Sequence, residues 1–141
     1  MNIEVFIDGS SKGNPGPGKA IAYIDRLNDD FLPHEVTITK SFLNTTNNQS
    51  EYQGLLLALN WVENILFDLV KNNIKQIIIY TDSKLIAGHV NNGWKVNVNR
   101  ALVLRSKRKL NEIKKQIKID VAWIPREENQ AGMILEAELN G

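Results

Sequence analysis

Polar and apolar residues alternate over positions 2–7, with Ile3, Val5 and Ile7 on one face, which predicts a half-buried strand. Lys19 to Arg26 and Val36 to Phe42 predict two more strands, and the short connections favour an antiparallel meander. Between the first two, Asp8 to Gly18 (DGSSKGNPGPG) reads as a turn-rich loop, unsuited to the interior of a helix or strand. The period changes over Asn48 to Val70, where Leu55, Leu59, Val62, Leu66 and Leu69 recur at helical spacing. Ser50 or Asn48 is the expected cap, with Glu51 near the positive end of the helix dipole.

Gln76 to Tyr80 (QIIIY) is a short, continuous apolar run that suits a central strand covered on both faces. Thr81-Asp82-Ser83 ends it, and a short helix follows to Val90, broken by Asn91-Asn92-Gly93. Arg100 to Gln116 reads as a helix, Ile117 to Ile124 as a strand and Glu127 to Leu139 as a last helix. The order βββαβααβα predicts an α/β domain. Its five-stranded mixed sheet has three antiparallel strands, then parallel strands joined by right-handed crossovers, with helices on its faces.

At 141 residues the chain has the length of a single domain, 1–141, without repeats or a linker. Hydrophobic residues at 43% and charged residues at 23% fit a globular chain. A formal net charge of +1 gives no long-range attraction to polyanions, so any nucleic-acid binding must come from local clusters. The absence of cysteine excludes disulfide scaffolds, zinc–thiolate sites and cysteine nucleophiles. No apolar run approaches the roughly 20 residues of a membrane span. The opening Met-Asn-Ile-Glu-Val lacks a basic n-region, so the expectation is a soluble cytoplasmic protein without a signal peptide.

Asp8 at the end of the first strand, Asp82 at the end of the fourth and Glu51 early in the long helix are the informative acids. If strands one and four are parallel neighbours, Asp8 and Asp82 leave the same sheet edge, where open α/β sheets place their ligands. Three carboxylates so close cannot all stay ionised without a cation. Oxygen ligands without His or Cys point to Mg²⁺ or Mn²⁺. Two such ions about 3.5–4 Å apart can activate water and stabilise a leaving oxygen in phosphodiester cleavage.

IDGSSKGNPGPG (7–18), TTNNQSEYQGLLLAL (45–59), YTDSKLIAGHVNNGW (80–94) and WIPREENQAG (123–132) resemble, in order and spacing, the four signature segments of type 1 ribonuclease H. The resemblance covers nearly the whole chain. It implies the ribonuclease H fold, a two-ion site and metal-dependent hydrolysis of the RNA strand of an RNA–DNA hybrid. It assigns Asp8, Glu51 and Asp82 as catalytic, metal-binding carboxylates. Nothing in the sequence demands an oligomer, an obligatory protein partner or a membrane, so a monomer is the expectation. Integrase- or resolvase-like nucleases share the two-ion logic, but GNPGPG and TTNN fit hybrid recognition better.

The chain departs from the family at the fourth acid. Asn-x-x-Ala-Asp is expected at the start of the last helix, whereas Asn129-Gln130-Ala131-Gly132 is one residue shorter and ends in glycine. Three readings follow: weakened catalysis, rescue by Glu136 or Glu128 as a substitute ligand, or a catalytically inactive hybrid-binding domain of the same fold. The histidine that the family often carries before this helix is also missing. Pro125-Arg126-Glu127-Glu128 stands there, with Arg126 or Glu127 as its substitute. His34 and His89 read as surface or packing residues.

The 2′-hydroxyl distinguishes RNA from DNA. The resemblance brings Gly9, Ser10 and Glu51 near the RNA ribose, Asn14, Asn47 and Asn48 to the hybrid, and Thr46 to a DNA-strand phosphate. Lys84 is a candidate phosphate or minor-groove contact, and Trp94 and Arg126 complete the substrate-binding candidates. Arg105, Lys107, Arg108, Lys109, Lys114, Lys115 and Lys118 form a basic surface that either faces solvent or contacts phosphates.

Overall fold

A computed structural model of the chain describes residues 2–25 and 35–140. Three strands, β1 (Asn2–Ser11), β2 (Gly16–Asp25) and β3 (Glu35–Thr45), precede the long helix α1 (Asn47–Lys71). Then come β4 (Gln76–Thr81), α2 (Lys84–Asn91), α3 (Arg100–Lys114), β5 (Lys118–Trp123) and α4 (Gln130–Asn140). A single 3₁₀ turn, Arg126–Glu128, leads into α4. The sheet order is β3-β2-β1-β4-β5. β1 pairs antiparallel with β2 and β2 with β3, while β1–β4 and β4–β5 are parallel. The mixed sheet expected from the element order is the one observed. His34 and the expected strand end at Arg26 lie outside the described residues.

The alternation in β1 puts Ile3, Val5 and Ile7 beneath α1, against Leu55, Leu59 and Val62, with Ile77 and Ile79 of β4 in the same core. Val103, Leu110 and Ile113 seal α3 onto this core. The opposite face is thinner, with Phe6, Ile21 and Tyr23 packing on Ala131 and Leu135 of α4. β4 is therefore central but unevenly covered: Ile77 and Ile79 are buried, whereas Ile78 and Tyr80 are half-exposed. The expectation of two fully covered faces fails because, among the described residues, α4 alone roofs that side.

The segment Asp8–Gly18 is not the loop that its composition suggests. β1 continues through Ser11 and β2 begins at Gly16, in the register Asp8↔Ile21, Gly9↔Ala20, Ser10↔Lys19 and Ser11↔Gly18. Small residues belong here because α1 crosses the strand closely: a Cβ on Gly9 would overlap the backbone of Ser50 and Glu51. Tertiary packing overrides the turn-forming tendency of glycine and serine.

The start of α1 also differs from expectation. Thr46 is the cap: its hydroxyl accepts the Gln49 amide at 3.1 Å, and the Gln49 side chain accepts the Thr46 amide at 3.0 Å. This reciprocal capping box satisfies two backbone donors that a cap at Ser50 or Asn48 would leave open. Glu51 then falls in the second turn, and the first turn carries no acid. No described helix is long and apolar enough to cross a membrane.

Candidate active site

Each acid of the cluster is held by a different element. Asp8 lies inside β1, Asp82 follows β4 directly, and Glu51 projects from α1 where the close approach at Gly9 brings helix and strand together. The parallel pairing of β1 and β4 carries Asp8 and Asp82 to the same end of the sheet. Carboxylate oxygens of Asp8, Glu51 and Asp82 lie within 4.8 Å of one another. The convergence expected from the sequence is present.

The surroundings make this cluster electrostatically costly. The Asp8 side chain is 2% exposed and that of Asp82 is 11% exposed. Burial, together with the neighbouring Asp82, raises Asp8 from 3.8 to about 6, against the lowering influence of Arg126 and the Gly9 amide. Burial raises Glu51 from 4.5 to about 7; a Ser83 hydrogen bond opposes this, and the charges of Asp8 and Asp82 add to it. Among the described residues, Asp8 Oδ1 is a buried oxygen without a hydrogen-bond partner. An orphaned carboxylate oxygen within a three-acid cluster fits a hard divalent cation, which would replace the missing partner and offset the mutual repulsion.

Neighbouring side chains fix the acids. Asn129 is fully buried, and its Nδ2 donates to the Ile7 carbonyl and to Asp82 Oδ2, both at 2.9 Å. Its Oδ1 accepts the Ala131 amide at 3.1 Å, so one side chain joins β1, the Asp82 turn and the start of α4. Trp123 Nε1 donates to the Asp82 carbonyl at 3.1 Å. Ser83 caps α2 by accepting the Ile86 amide at 3.1 Å, which anchors the turn that carries Asp82. Asn129 and Trp123 were not among the site residues expected from the sequence. For Asn129 the available signal was a polar residue immediately before a helix, the position of a cap.

Arg126 enters the cluster itself. Its Nη1 donates to Asp8 Oδ2 at 2.9 Å and to Asp82 Oδ2 at 3.2 Å, while the side chain stays 57% exposed. Gly132 lies alongside. A Cβ there would sit 3.2 Å from Arg126 Cζ and Nη1 and 3.3 Å from Asp8 Oδ2. Position 132 thus faces the acids, while the next residue, Met133, is 51% exposed. Glu128 and Glu136 are exposed and lie outside the three-acid group. Glu128 instead borders a shallow hollow with Tyr23, Thr37 and Met133. The structure therefore does not bring either of the two expected substitute ligands to the cluster. Each leaves the 3₁₀ turn or α4 away from the site.

The other expected substrate residues divide into two groups. Asn14 Oδ1 accepts the Asn47 amide at 2.9 Å, and Asn47 Oδ1 accepts the Ser11 amide at 3.1 Å and its hydroxyl at 2.8 Å. Together with the Thr46 cap, these amides tie the β1–β2 turn to the start of α1, one helical turn before Glu51. Asn48 beside them is exposed, and Ser10 borders an open hollow with Lys12, Lys19 and Phe42. Lys84 is exposed at the start of α2, its Nζ 5.5 Å from the centroid of the Trp123 ring. Trp94 is 48% exposed but rests on Gly88, where a Cβ would overlap its ring.

On the basic face, Lys109 pairs with Glu63 of α1 at 2.7 Å and Lys115 with Glu112 at 3.0 Å. His89 is buried, its Nδ1 2.6 Å from the Tyr52 hydroxyl, and it serves packing as expected.

Comparison with known proteins agrees with this fold. The RNase H family profile matches residues 1–132. The chain is 35% identical over 102 residues to a ribonuclease H of Actinobacillus succinogenes, covering 70% of this chain and 57% of the relative. It is 32% identical over 98 residues to ribonuclease HI of Haemophilus influenzae, covering 67% of this chain and 54% of the relative. The chain thus spans little more than half the length of these relatives. LC11-RNase H1 from compost superposes with a TM-score of 0.74 at 27% identity, covering 99% of this chain and 96% of that one. A structure of LC11-RNase H1 in complex with RNA/DNA hybrid gives a TM-score of 0.70 at 26% identity, covering 94% and 92% of the two chains. RNase H1 of Halobacterium salinarum, at 22% identity, shares the fold with a TM-score of 0.72 over the full length of both chains.

Proposed function

The chain belongs to the ribonuclease H family, and from that premise we propose that it hydrolyses the RNA strand of RNA–DNA hybrids with a divalent metal, Mg²⁺ or Mn²⁺. The observation that carries this reading is the convergence of Asp8, Glu51 and Asp82 around a buried, unpartnered Asp8 oxygen. Asp8, Glu51 and Asp82 would hold the metal. When bound, it supplies activation of water and stabilisation of the leaving oxygen. Gly9 and Ser10 leave room for the backbone to approach a ribose 2′-hydroxyl beside Glu51, and a hydroxyl that both donates and accepts is the group such a surface can sense. Asn48, with Asn14, Thr46 and Asn47 bracing the same ridge, meets the hybrid. Lys84 and Trp94 line the approach along α2. The relative solved with a hybrid supports this choice of substrate.

A second reading, a hybrid-binding domain with little turnover, draws on Gly132, which offers no ligand where the family carries its fourth acid. One assay separates the two. Labelled hybrid, duplex RNA and duplex DNA are incubated with the chain and Mg²⁺ or Mn²⁺. Cleavage confined to the RNA of the hybrid is the expected result. Hybrid binding without cleavage would establish the second reading, and cleavage of all three duplexes would refute both.

A further inference from the structure

Resting on the metal-binding reading above, we propose that Arg126 is a resident cation of the cluster. Its guanidinium holds the Oδ2 side of Asp8 and Asp82 in place of a second divalent ion, and Gly132 is the residue that admits it. The chain then takes up one ion rather than two.

Both acids are engaged through the same atom of the arginine. Nη1 lies 2.9 Å from Asp8 Oδ2 and 3.2 Å from Asp82 Oδ2, so a single N–H-bearing nitrogen bridges the pair. Asp8 and Asp82 are also residues that would hold a second divalent ion, and the guanidinium already engages their Oδ2 side. A guanidinium and a doubly charged ion repel strongly at such separations, so the two cannot share these oxygens. The other side of the cluster is still open to a cation, because Asp8 Oδ1 has no partner. Arginine suits the role: it stays protonated at any working pH, and its flat donor array matches carboxylate oxygens. Asn129 holds Asp82 Oδ2 from a third direction, which leaves little freedom for that oxygen to turn away from the guanidinium.

Gly132 explains how the arginine fits. It is buried within α4, where glycine is a poorer helix former than alanine, so helix formation does not favour it. The absent side chain leaves the space beside the guanidinium: even a methyl group would come within 3.2 Å of both Cζ and Nη1. Arg126 and Gly132 are therefore one feature, a cation supplied by the 3₁₀ turn and the gap in α4 that receives it.

The test is Mn²⁺ binding without nucleic acid, followed by calorimetry and by the electron paramagnetic resonance signal of free Mn²⁺. The unaltered chain is expected to bind one ion. Arg126→Ala and the near-isosteric Arg126→Gln are expected to bind a second ion, or to bind the first at least tenfold tighter. Gly132→Val, whose branched side chain needs more than the small shift a methyl group would ask of the guanidinium, is expected to shift binding in the same direction. Lys75→Ala removes an exposed charge just before β4, at the end of that strand opposite Asp82, and is expected to leave the stoichiometry at one. Circular dichroism checks that each variant is folded, and the 57% exposure of the Arg126 side chain favours this. Two ions on the unaltered chain, or unchanged or weaker binding in both Arg126 variants, would overturn the inference. If hybrid cleavage persists in those cases, the proposed function stands without it. No Mn²⁺ binding by any of the chains would overturn both.

Discussion

Replacing Glu51 with glutamine keeps the shape of the side chain and removes its charge. In the metal-free chain, burial and the two neighbouring aspartates raise this carboxyl from 4.5 to about 7. That displacement corresponds to about 3 kcal/mol of extra cost for keeping the group ionised in the folded state. The sign follows from linkage. Because the folded-state value is raised, the protonated acid favours the folded chain at low pH, and that contribution disappears as pH rises through about 7. Glutamine carries no such penalty. Urea unfolding in EDTA should therefore show Glu51→Gln within about 1 kcal/mol of the unaltered chain at pH 5, and more stable by about 3 kcal/mol at pH 8.5. The comparison cancels His89, whose value is lowered by burial in both chains and whose own contribution runs the opposite way. Saturating Mg²⁺ should narrow or reverse the gap, because the ion stabilises only the chain that retains the ligand. A difference that does not change with pH, or a glutamine variant less stable at pH 8.5, would refute the electrostatic account of the cluster.

Further substitutions probe the framework around the acids. Asn129→Ala removes the donor to the buried Ile7 carbonyl and to Asp82; a loss of about 2–3 kcal/mol in urea unfolding is expected, together with weaker metal-induced stabilisation. Gly9→Ala forces a methyl group into the Ser50 backbone; a loss of at least about 2 kcal/mol, read as a lowered thermal midpoint, should accompany any loss of cleavage. Tyr52→Phe deprives His89 Nδ1 of its 2.6 Å partner, which should cost about 1–2 kcal/mol by the same measurement. Burial lowers His89, so its own contribution is lost as pH falls below its ordinary 6.5 and opposes the gain from Glu51 and Asp8; over that range the unaltered chain should lose stability relative to His89→Gln.

Periodicity made most of the architecture legible. The alternation of Ile3, Val5 and Ile7 and the leucine spacing of the long helix each record a buried face, and burial is what sheets and helices are selected to achieve. Asp8 and Asp82 were legible because parallel pairing of β1 with β4 carries both to the same end of the sheet, although β1 runs on past Asp8 to Ser11. What escaped was decided by contacts distant in sequence. Gly9 to Ser11 look like a turn until α1 is laid across them, and only then does small size become a requirement of a strand. The cap lies at Thr46 because Gln49 completes a reciprocal pair there, a long-side-chain contribution that the cap preferences of Ser50 and Asn48 do not reveal. Arg126 reads from the sequence as a substrate contact or a stand-in for the missing histidine, because nothing local shows that Asp8, 118 positions away in the chain, lies within its reach. Glu128 and Glu136 looked suitable by helical spacing measured from Gly132, but the 3₁₀ turn rotates the first away, and the second faces solvent on α4.

Asp8 is not a loop residue but part of a strand, paired in register with Ile21 and roofed by Gly54 of α1. A ligand arriving there meets a receptor that is already assembled. Uptake of an ion should then proceed without ordering of the main chain, leaving the heat capacity nearly unchanged and the amide of Asp8 as slow to exchange with deuterium before loading as after it.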